Sequence, residues 1–214
     1  MLSLSSGIDA SVQAVEFISL ASAIGAPILD QKQFDYGAQP FIVFSKVIDE
    51  ATGQDAQSYL DEQVLTPLGI SVPLARTYDN AQIPILSAGG RATLSDLAVL
   101  GLELLDAAKG QGRVFTASDV DALTTPGLNP TYGIGFWLND DGISVDGTTV
   151  APRYPSCDAT AVFHALGAGG QILTVVPEHD LVVAKSAAFG AVAFQEAQTF
   201  WDLLFDGLDC QCNV

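Results

Sequence analysis

Residues 34–53 read FDYGAQPFIVFSKVIDEATG and place a Tyr-Gly pair directly before an apolar segment. Apolar residues recur at helical spacing from Phe41 to Ala51, and Gly53 follows as a typical helix stop. The pattern predicts a helix that lacks the usual Ser, Thr, Asp or Asn cap, since a tyrosine contributes little to capping. Tyr36 therefore has to be explained by packing or by chemistry.

The chain of 214 residues has a globular composition with a large acidic excess. Hydrophobic residues make up 49% of it, which is ample for the core of one domain or of a large part of one. Asp and Glu number 25 against 8 Lys and Arg, and the formal net charge is −17. Because the basic residues form no cluster, the sequence argues against binding to nucleic acid or anionic lipid. The acidity indicates either a solvated surface or a saline habitat.

Cysteine and histidine show no pattern for a metal or a cofactor, and we expect neither. The cysteines are Cys157, Cys210 and Cys212, and a disulfide from Cys157 to the tail, which would indicate an oxidising compartment, stays open. The two histidines, His164 and His179, are not at ligand spacing with each other or with the cysteines.

The N-terminal stretch predicts an amphipathic helix at residues 11–23. Its apolar run is interrupted by Asp9, Gln13 and Glu16 and follows no positive charge, so it predicts neither a signal peptide nor a membrane span. The sequence also starts without a polar lead, which suggests that it opens partway through a domain.

Capping and stop residues predict three further helices. The first comprises residues 56–65 and is broken by Pro67 and Gly69. The second is capped by Thr93 and Asp96 and ends at Gly110, and the third is a short helix with Ser118 and Asp121 at its start. Strand patterns follow: YGIGFWL (132–138), GISV (142–145), and a hairpin of QILTVVP (171–177) and DLVVAKSA (180–187). A terminal amphipathic helix is predicted at 191–205. The prediction is a single α+β domain over 1–214, mainly helical in 1–130, with antiparallel strands and a C-terminal helix in 131–214.

Five segments in order resemble the serine beta-lactamase-related family of class C beta-lactamases, D-alanyl-D-alanine carboxypeptidases and esterases. They are residues 34–53, YLDEQVLTPLGI (59–70), SAGGRATLSDLAVLGLELL (87–105), YGIGFWL and GAGGQILTVVPEHDLVVA (167–184). The resemblance covers residues 2–205. It implies a beta-lactamase/transpeptidase-like fold, with a helical subdomain beside an antiparallel sheet.

In that family the second active-site motif is a Tyr-x-Asn-like element, and Tyr36 falls on its tyrosine. The implied role is a proton shuttle that works with the motif lysine, which requires nearby cations because the pKa of free tyrosine is about 10. Gly37 and Ala38 stand where many members have Ser and Asn. This departure favours an esterase-like or peptidase-like relative over a true beta-lactamase. The alternative is that Tyr36 is a buried aromatic residue with a satisfied hydroxyl.

The third motif resembles HALGAGGQ (164–171), with Gly167 on the motif glycine and Ala165 and Leu166 at the Lys/His and Thr positions. His164 stands one residue early and should face the other side of a strand unless a bulge shifts it.

The implied oxyanion site comprises small residues that let a main-chain N–H approach the substrate: Gly167, Ala168 and Gly169. The resemblance adds Gly37, His164 and Gln171 to the cleft. A glycine-rich bulge that enters the hairpin is the other interpretation of this segment.

The first motif, Ser-x-x-Lys, is absent. The residues three before the four lysines are Leu29, Val43, Asp106 and Val182, and no Gly-x-Ser-x-Gly elbow occurs. LSLSSGI (2–8) resembles a family segment that follows the nucleophile, so Ser3, Ser5 and Ser6 are not candidates for it. We therefore expect a chain that begins downstream of its nucleophile and is inactive alone.

Two function classes stay open. One is the C-terminal part of a serine hydrolase acting on small-molecule esters, amides or beta-lactams, and the other is a non-catalytic binding or scaffold protein. The resemblance suggests a secreted or periplasmic location. Absence of the N-terminal segment would expose a sheet edge through which the chain could associate with itself.

Overall fold

The computed structural model describes residues 3–5, 8, 32–140, 142–143, 149–150, 161–167, 170–186 and 203. The chain divides into two compact units, residues 1–99 and 100–214. The helix predicted at 11–23, the three cysteines and, except for Leu203, the helix predicted at 191–205 lie outside the described residues. No helix in the described part is long and apolar enough to cross a membrane.

Helix α1, Gln39–Thr52, confirms the helix predicted directly after the Tyr-Gly pair. Ala38 is its N-cap and gives no side-chain hydrogen bond, while Pro40 in the first turn favours helix initiation through its fixed φ. Gly53 ends the helix at φ 71°, a left-handed conformation that costs glycine little. On the buried side, the Ser45 hydroxyl donates to the carbonyl of Pro84 at 2.7 Å.

The second predicted helix is confirmed and extends further than expected. It comprises α2 (Ala56–Leu60), a π-helical turn (Asp61–Leu65) and α3 (Thr66–Leu68). The prediction that Pro67 breaks the helix was wrong. Pro67 follows the π turn, where the hydrogen-bond ladder is already shifted and its missing N–H does little harm. Gly69 provides the stop, at φ 70°.

A narrow antiparallel ribbon joins residues 73–76 to residues 84–91 in the same unit. Bridges pair Leu74 with Gly90 and Arg76 with Pro84. Within the second segment the backbone turns tightly between Ile85 and Gly89, and a Cβ atom on Gly89 would lie 2.4 Å from the carbonyl oxygen of Ile85. Ile85 packs on Ala38 and Ile42, so the ribbon rests on the N-terminal half of α1.

Helix α4, Leu94–Ala108, has the predicted start and stop. The Asp96 N–H donates to the Thr93 hydroxyl at 3.1 Å, and the Thr93 N–H donates to the Asp96 carboxylate at 2.8 Å. Gly110 adopts φ 73° just beyond its end. Reciprocal hydrogen bonds of this kind satisfy N–H groups that the first turn leaves without helical partners.

Helix α5, Ala117–Thr124, is the predicted short helix, but its cap differs from the expected one. The sequence suggested Ser118 with Asp121. Thr116 and Asp119 form the capping box instead, because the Thr116 side chain accepts from the Asp119 N–H and the helix thus begins two residues earlier.

The described part of the second unit contains six strands: β1 Trp137–Leu138, β2 Gly142–Ile143, β3 Thr149–Val150, β4 Phe163–Gly167, β5 Gln171–Val176 and β6 Leu181–Lys185. An antiparallel sheet has the order β1-β4-β5-β6, and β2 pairs with β3 separately. The predicted hairpin is confirmed as β5 and β6, joined by a 3₁₀ turn at Pro177–His179. Helices and an antiparallel sheet confirm the α+β class.

The strand predicted over residues 132–138 is only two residues long. Gly133 packs so closely on the preceding helix that a Cβ atom would lie 2.1 Å from the carbonyl oxygen of Leu123. Gly135 is left-handed, at φ 78°. These backbone positions interrupt an extended conformation, so the strand starts only at Trp137.

One face of the four-stranded sheet packs against α4 and α5. The buried cluster there is Leu104, Leu105, Ala107, Val120, Phe163 and Val175. Phe136 meets Phe163 edge-on with ring centroids 5.4 Å apart. The register then directs His164 and Thr174 to the opposite face.

Candidate functional site

Tyr36 lies in the loop immediately before α1 and is half-buried. Its ring centroid is 6.4 Å from that of Phe34, with the planes tilted by 46°. Asp35 anchors the loop, since its N–H donates to the Leu4 carbonyl at 3.0 Å. Gly37 is buried directly after the tyrosine. Tyr36 thus stands three residues before the first residue of α1, and the first turn of α1 holds no acidic residue.

Lys46 is the lysine on α1, and it is engaged elsewhere. Its Nζ forms ion pairs with the Asp49 carboxylate at 2.5 Å and the Glu50 carboxylate at 2.8 Å. The hydrogen bonds that Lys46 donates to Asp49, and then to Glu50, raise the pKa of Lys46 above its ordinary value. Two carboxylates of its own helix therefore engage the Lys46 ammonium, and the residue three positions before it is valine rather than serine.

Strand β4 carries the third-motif residues in an unbroken register. Pairing with β5 runs from Phe163↔Val175 to Gly167↔Gln171 without a bulge. Successive side chains of a strand face opposite sides, so His164 and Ala165 point away from each other. His164 is fully buried, opposite Trp137 on one side and Thr174 on the other.

The β4–β5 turn is closed by backbone contacts. Gly170 donates its N–H to the Gly167 carbonyl at 3.2 Å and adopts φ 88°. Gly167 is exposed and pairs directly with Gln171. The other two turn residues, Ala168 and Gly169, lie outside the described residues.

Sequence reasoning missed Lys185 at this turn. Its Nζ donates to the carbonyl oxygen of Gly170 at 3.2 Å. The signal was present in the hairpin pattern: a turn at Pro177–His179 places Lys185 opposite Ile172, one residue after Gln171.

The candidate residues therefore fall into two groups. Tyr36 and Gly37 belong to the unit of residues 1–99, while His164, Gly167 and Gln171 belong to the unit of residues 100–214. Within the described chain, no group of three His, Cys, Asp or Glu side chains is placed to hold a metal ion. The candidate groups are thus a phenol, a buried imidazole and a glycine-rich turn with an ammonium group beside it.

Comparison with known proteins gives a match to a family model. The model described as Beta-lactamase matches residues 3–189. The curated proteins contain no match.

Solved structures of three proteins resemble the chain. A beta-lactamase from Mycobacterium bovis has a TM-score of 0.69 and 21% identity, covering 97% of this chain and 71% of its own. A candidate 6-aminohexanoate-dimer hydrolase from Bacillus anthracis has a TM-score of 0.67 and 14% identity, and the match covers 96% of this chain and 58% of the hydrolase. A penicillin-binding protein homologue from Caulobacter crescentus has a TM-score of 0.61 and 18% identity, and the match covers 86% of this chain and 62% of the homologue. The chain thus spans less than two thirds of the length of the Bacillus anthracis and Caulobacter crescentus proteins.

Proposed function

The chain belongs to the beta-lactamase family and has its beta-lactamase/transpeptidase-like fold, and from this premise we propose that it is the C-terminal part of a serine hydrolase whose nucleophile lies outside these 214 residues. The substrates proposed are small-molecule esters, amides or beta-lactams. The chain alone is proposed to be hydrolytically inactive.

One observation carries this proposal: family segments occur in order across the chain, yet no lysine follows a serine at the spacing of the first motif. A serine hydroxyl is a weak nucleophile unless a neighbouring base accepts its proton. Loss of a catalytic serine removes covalent catalysis and leaves only the rate due to binding and oxyanion contacts. A chain with the later motifs and without the first therefore supplies part of a site.

The roles assigned within that site follow the resemblance. Tyr36 passes the proton of the serine hydroxyl to the leaving group, together with the motif lysine. The Gly167 turn brings a main-chain N–H to the developing oxyanion. Gly37 and Ala38 replace the usual Ser and Asn, which favours ester or amide bonds over a beta-lactam. The Bacillus anthracis relative is named for hydrolysis of a 6-aminohexanoate dimer, which contains an amide bond, and this supports an amide as the substrate.

A second candidate is a binding or scaffold protein that has kept the fold and lost the chemistry. Ala38 in the second motif, with Ala165 and Leu166 in the third, favours it, because three polar groups are replaced by apolar ones. This protein would bind ligands without turnover.

Labelling with a fluorophosphonate tests the first proposal. We expect the complete gene product from the source organism to become labelled and to hydrolyse 4-nitrophenyl butyrate, and the 214-residue chain to do neither. Tyr36→Phe in the complete protein should lower the rate by about 100-fold or more. Tyr78→Phe is the matched control, since Tyr78 is 76% exposed in the same unit.

Two outcomes would change the conclusion. Ester turnover by the 214-residue chain, abolished by Tyr36→Phe, would contradict its inactivity. A complete gene product without Ser-x-x-Lys that resists labelling would overturn the hydrolase and support the binding protein.

A further inference from the structure

Leu4 has a left-handed backbone conformation, with φ at 54°, and its side chain is only 1% exposed. For a leucine this conformation is unfavourable, because its Cβ atom comes close to the following carbonyl oxygen. Glycine is the usual residue at such a φ, and Asn or Asp is the commonest exception. A buried leucine in this conformation therefore needs surrounding contacts that hold it there.

Three contacts hold Leu4 in its left-handed conformation. Its side chain is part of the buried apolar core. The Ser5 hydroxyl donates to the Ser3 carbonyl at 3.1 Å, and this hydrogen bond joins the two neighbours of Leu4. The carbonyl of Leu4 itself accepts the Asp35 N–H at 3.0 Å. One apolar anchor and two hydrogen bonds thus offset the strain, and the last of them connects residues that are far apart in the sequence.

The hydrogen bond from Asp35 restrains the loop that carries Tyr36. Residues 32–36 form no helix or strand, so the position of this loop depends on contacts with other parts of the first unit. The Asp35 N–H fixes the backbone one residue before the tyrosine, and helix α1 fixes it from Gln39 onward. Leu4 therefore holds the N-terminal side of the loop, and α1 holds the C-terminal side.

We propose that Leu4 is a positioning residue for Tyr36 and that it acts through the Asp35 N–H. Its left-handed backbone places the carbonyl at that N–H, and its buried side chain keeps the segment from relaxing to an ordinary conformation. Strained residues of this kind persist where the surrounding structure over-determines them. The consequence for catalysis rests on the proposed function, whereas the position of Tyr36 can be measured on the 214-residue chain itself.

A matched pair of substitutions separates the backbone conformation from the apolar side chain. Leu4→Ile keeps the number of carbon atoms but introduces a β-branched residue, for which a positive φ is least tolerated. Leu4→Met conserves the apolar volume without a β-branch. Leu65→Ile is the control, because Leu65 is buried in the same unit, at 4% exposure, but has a right-handed conformation with φ at −72°.

The position of the phenol is measured by ¹⁹F NMR of the chain labelled with 3-fluorotyrosine. The five tyrosine signals can be assigned by replacing one tyrosine at a time with phenylalanine. We expect Leu4→Ile to move the Tyr36 signal toward its position in the urea-unfolded chain and to leave the Tyr78 signal unchanged. Leu4→Met and Leu65→Ile should leave both signals in place. The Asp35 N–H should lose its protection from exchange in Leu4→Ile alone.

The complete gene product tests the consequence for catalysis. Misplacing a catalytic group by about 1 Å can cost about 100-fold in rate, so we expect Leu4→Ile to lower kcat for 4-nitrophenyl butyrate by about 10- to 100-fold. KM should change little, since substrate binding is not the step affected. Leu4→Met should keep kcat near the unmodified value. Titration of the active site with the fluorophosphonate corrects for unfolded enzyme, which is the only loss that a purely structural role would cause.

Three results would overturn the proposal: a Tyr36 signal that stays in place in folded Leu4→Ile, an equal displacement in Leu65→Ile, or an unchanged kcat per labelled enzyme. Thermal unfolding shows which variants are folded. If Leu4→Ile does not fold, the unmodified chain decides. An Asp35 N–H that exchanges as fast as in the unfolded chain would reject the proposal, and slow exchange would support it.

Failure of this proposal is distinguishable from failure of the proposed function. Fluorophosphonate labelling of the complete gene product, with a Tyr36 signal that Leu4→Ile does not move, would reject the role of Leu4 alone. Displacement of the Tyr36 signal, with a complete gene product that resists labelling, would reject the hydrolase and leave the positioning of Tyr36 by Leu4 in place.

Discussion

Glu103 and Val114 are joined by a hydrogen bond of 2.7 Å from the backbone N–H of Val114 to Oε1 of the buried glutamate. The same oxygen accepts the N–H groups of Arg113 and Phe115 at 2.8 Å and 3.0 Å. One carboxylate on α4 thus satisfies three successive backbone donors in the segment after the helix. Because the Glu103 side chain is only 1% exposed, those donors would find little water in its absence.

Removing this carboxylate should destabilise the second unit. We expect Glu103→Ala to lower the free energy of unfolding by about 3–5 kcal/mol, since three N–H groups lose a charged acceptor. Glu103→Gln should cost about 1–3 kcal/mol, because it keeps an acceptor oxygen without the charge. Urea unfolding followed by circular dichroism measures both.

Glu178→Gln is the matched control, because Glu178 is exposed in the 3₁₀ turn. It should change stability by no more than about 0.5 kcal/mol. A Glu103→Ala variant as stable as this control would show that the segment after α4 does not depend on the carboxylate.

Gly101 sets the approach of α4 to the sheet. A Cβ atom at this position would lie 2.5 Å from Val182 Cγ1 and 2.8 Å from Leu173 Cδ1. Alanine is a better helix former by about 1 kcal/mol, but overpacking costs about 1–3 kcal/mol. We therefore expect Gly101→Ala to be destabilising by about 1 kcal/mol on balance.

The cause can be isolated with a double-mutant cycle. Val182→Ala removes the methyl group that the new Cβ would meet, so the two substitutions together should cost less than the sum of the single ones. Strict additivity in urea unfolding would mean that the sheet accommodates the new side chain elsewhere, and the packing argument would fail.

Local signals in the sequence predicted many of the elements. Thr93 and Asp96 marked the start of α4 because a capping box depends on residues three apart, and Gly53 marked the end of α1 through its left-handed conformation. The β5–β6 hairpin followed from two apolar runs around Pro177. In each case the determining residues are neighbours in sequence.

The remaining features depend on contacts between distant residues. Glu103 stands in an apolar stripe, and its partners ten to twelve residues later could not be read from that pattern. The YGIGFWL segment has strand composition, yet close packing of Gly133 on Leu123 prevents a strand over most of it. Lys185 reaches Gly170 only because the sheet brings them together. Tyr36 as a site residue came from the resemblance and stays a prediction.

Gln57 links α2 to the ribbon through side-chain hydrogen bonds, and its substitution should lower the stability of the first unit. Its Oε1 accepts the Leu74 N–H at 2.6 Å, while its Nε2 donates to Asp61 at 2.8 Å. We expect Gln57→Ala to lower stability by about 1–2 kcal/mol through the unpaired N–H. Gln57→Glu should also destabilise, because it keeps an acceptor but places a second carboxylate beside Asp61.

Thermal unfolding and amide exchange at Leu74 report on this contact. Gln63→Ala, at an exposed position of the neighbouring π turn, serves as the control. Slow exchange at Leu74 in Gln57→Ala would show that another acceptor takes the N–H, and the fastening role would be rejected.

The two capping boxes should make stability depend on pH in the acid range. Hydrogen bonds from the Thr116 backbone and then its hydroxyl hold the pKa of Asp119 below its ordinary value, and those from the Thr93 hydroxyl and then its backbone do the same for the pKa of Asp96. A folded-state pKa below the unfolded value means that the stabilisation is fully present above the unfolded pKa. It is then lost as the pH falls through the folded pKa.

We therefore expect the unmodified chain to lose stability more steeply than Asp119→Asn as the pH falls below the ordinary aspartate value of about 3.9, and the two curves to converge at the lowest pH. Urea midpoints at a series of pH values measure this difference. Asp121→Asn, at an exposed position of the same helix, is the matched control for removing one acidic charge. Parallel curves for the unmodified chain and Asp119→Asn would contradict the assignment, because an uncoupled carboxylate contributes no difference between the two.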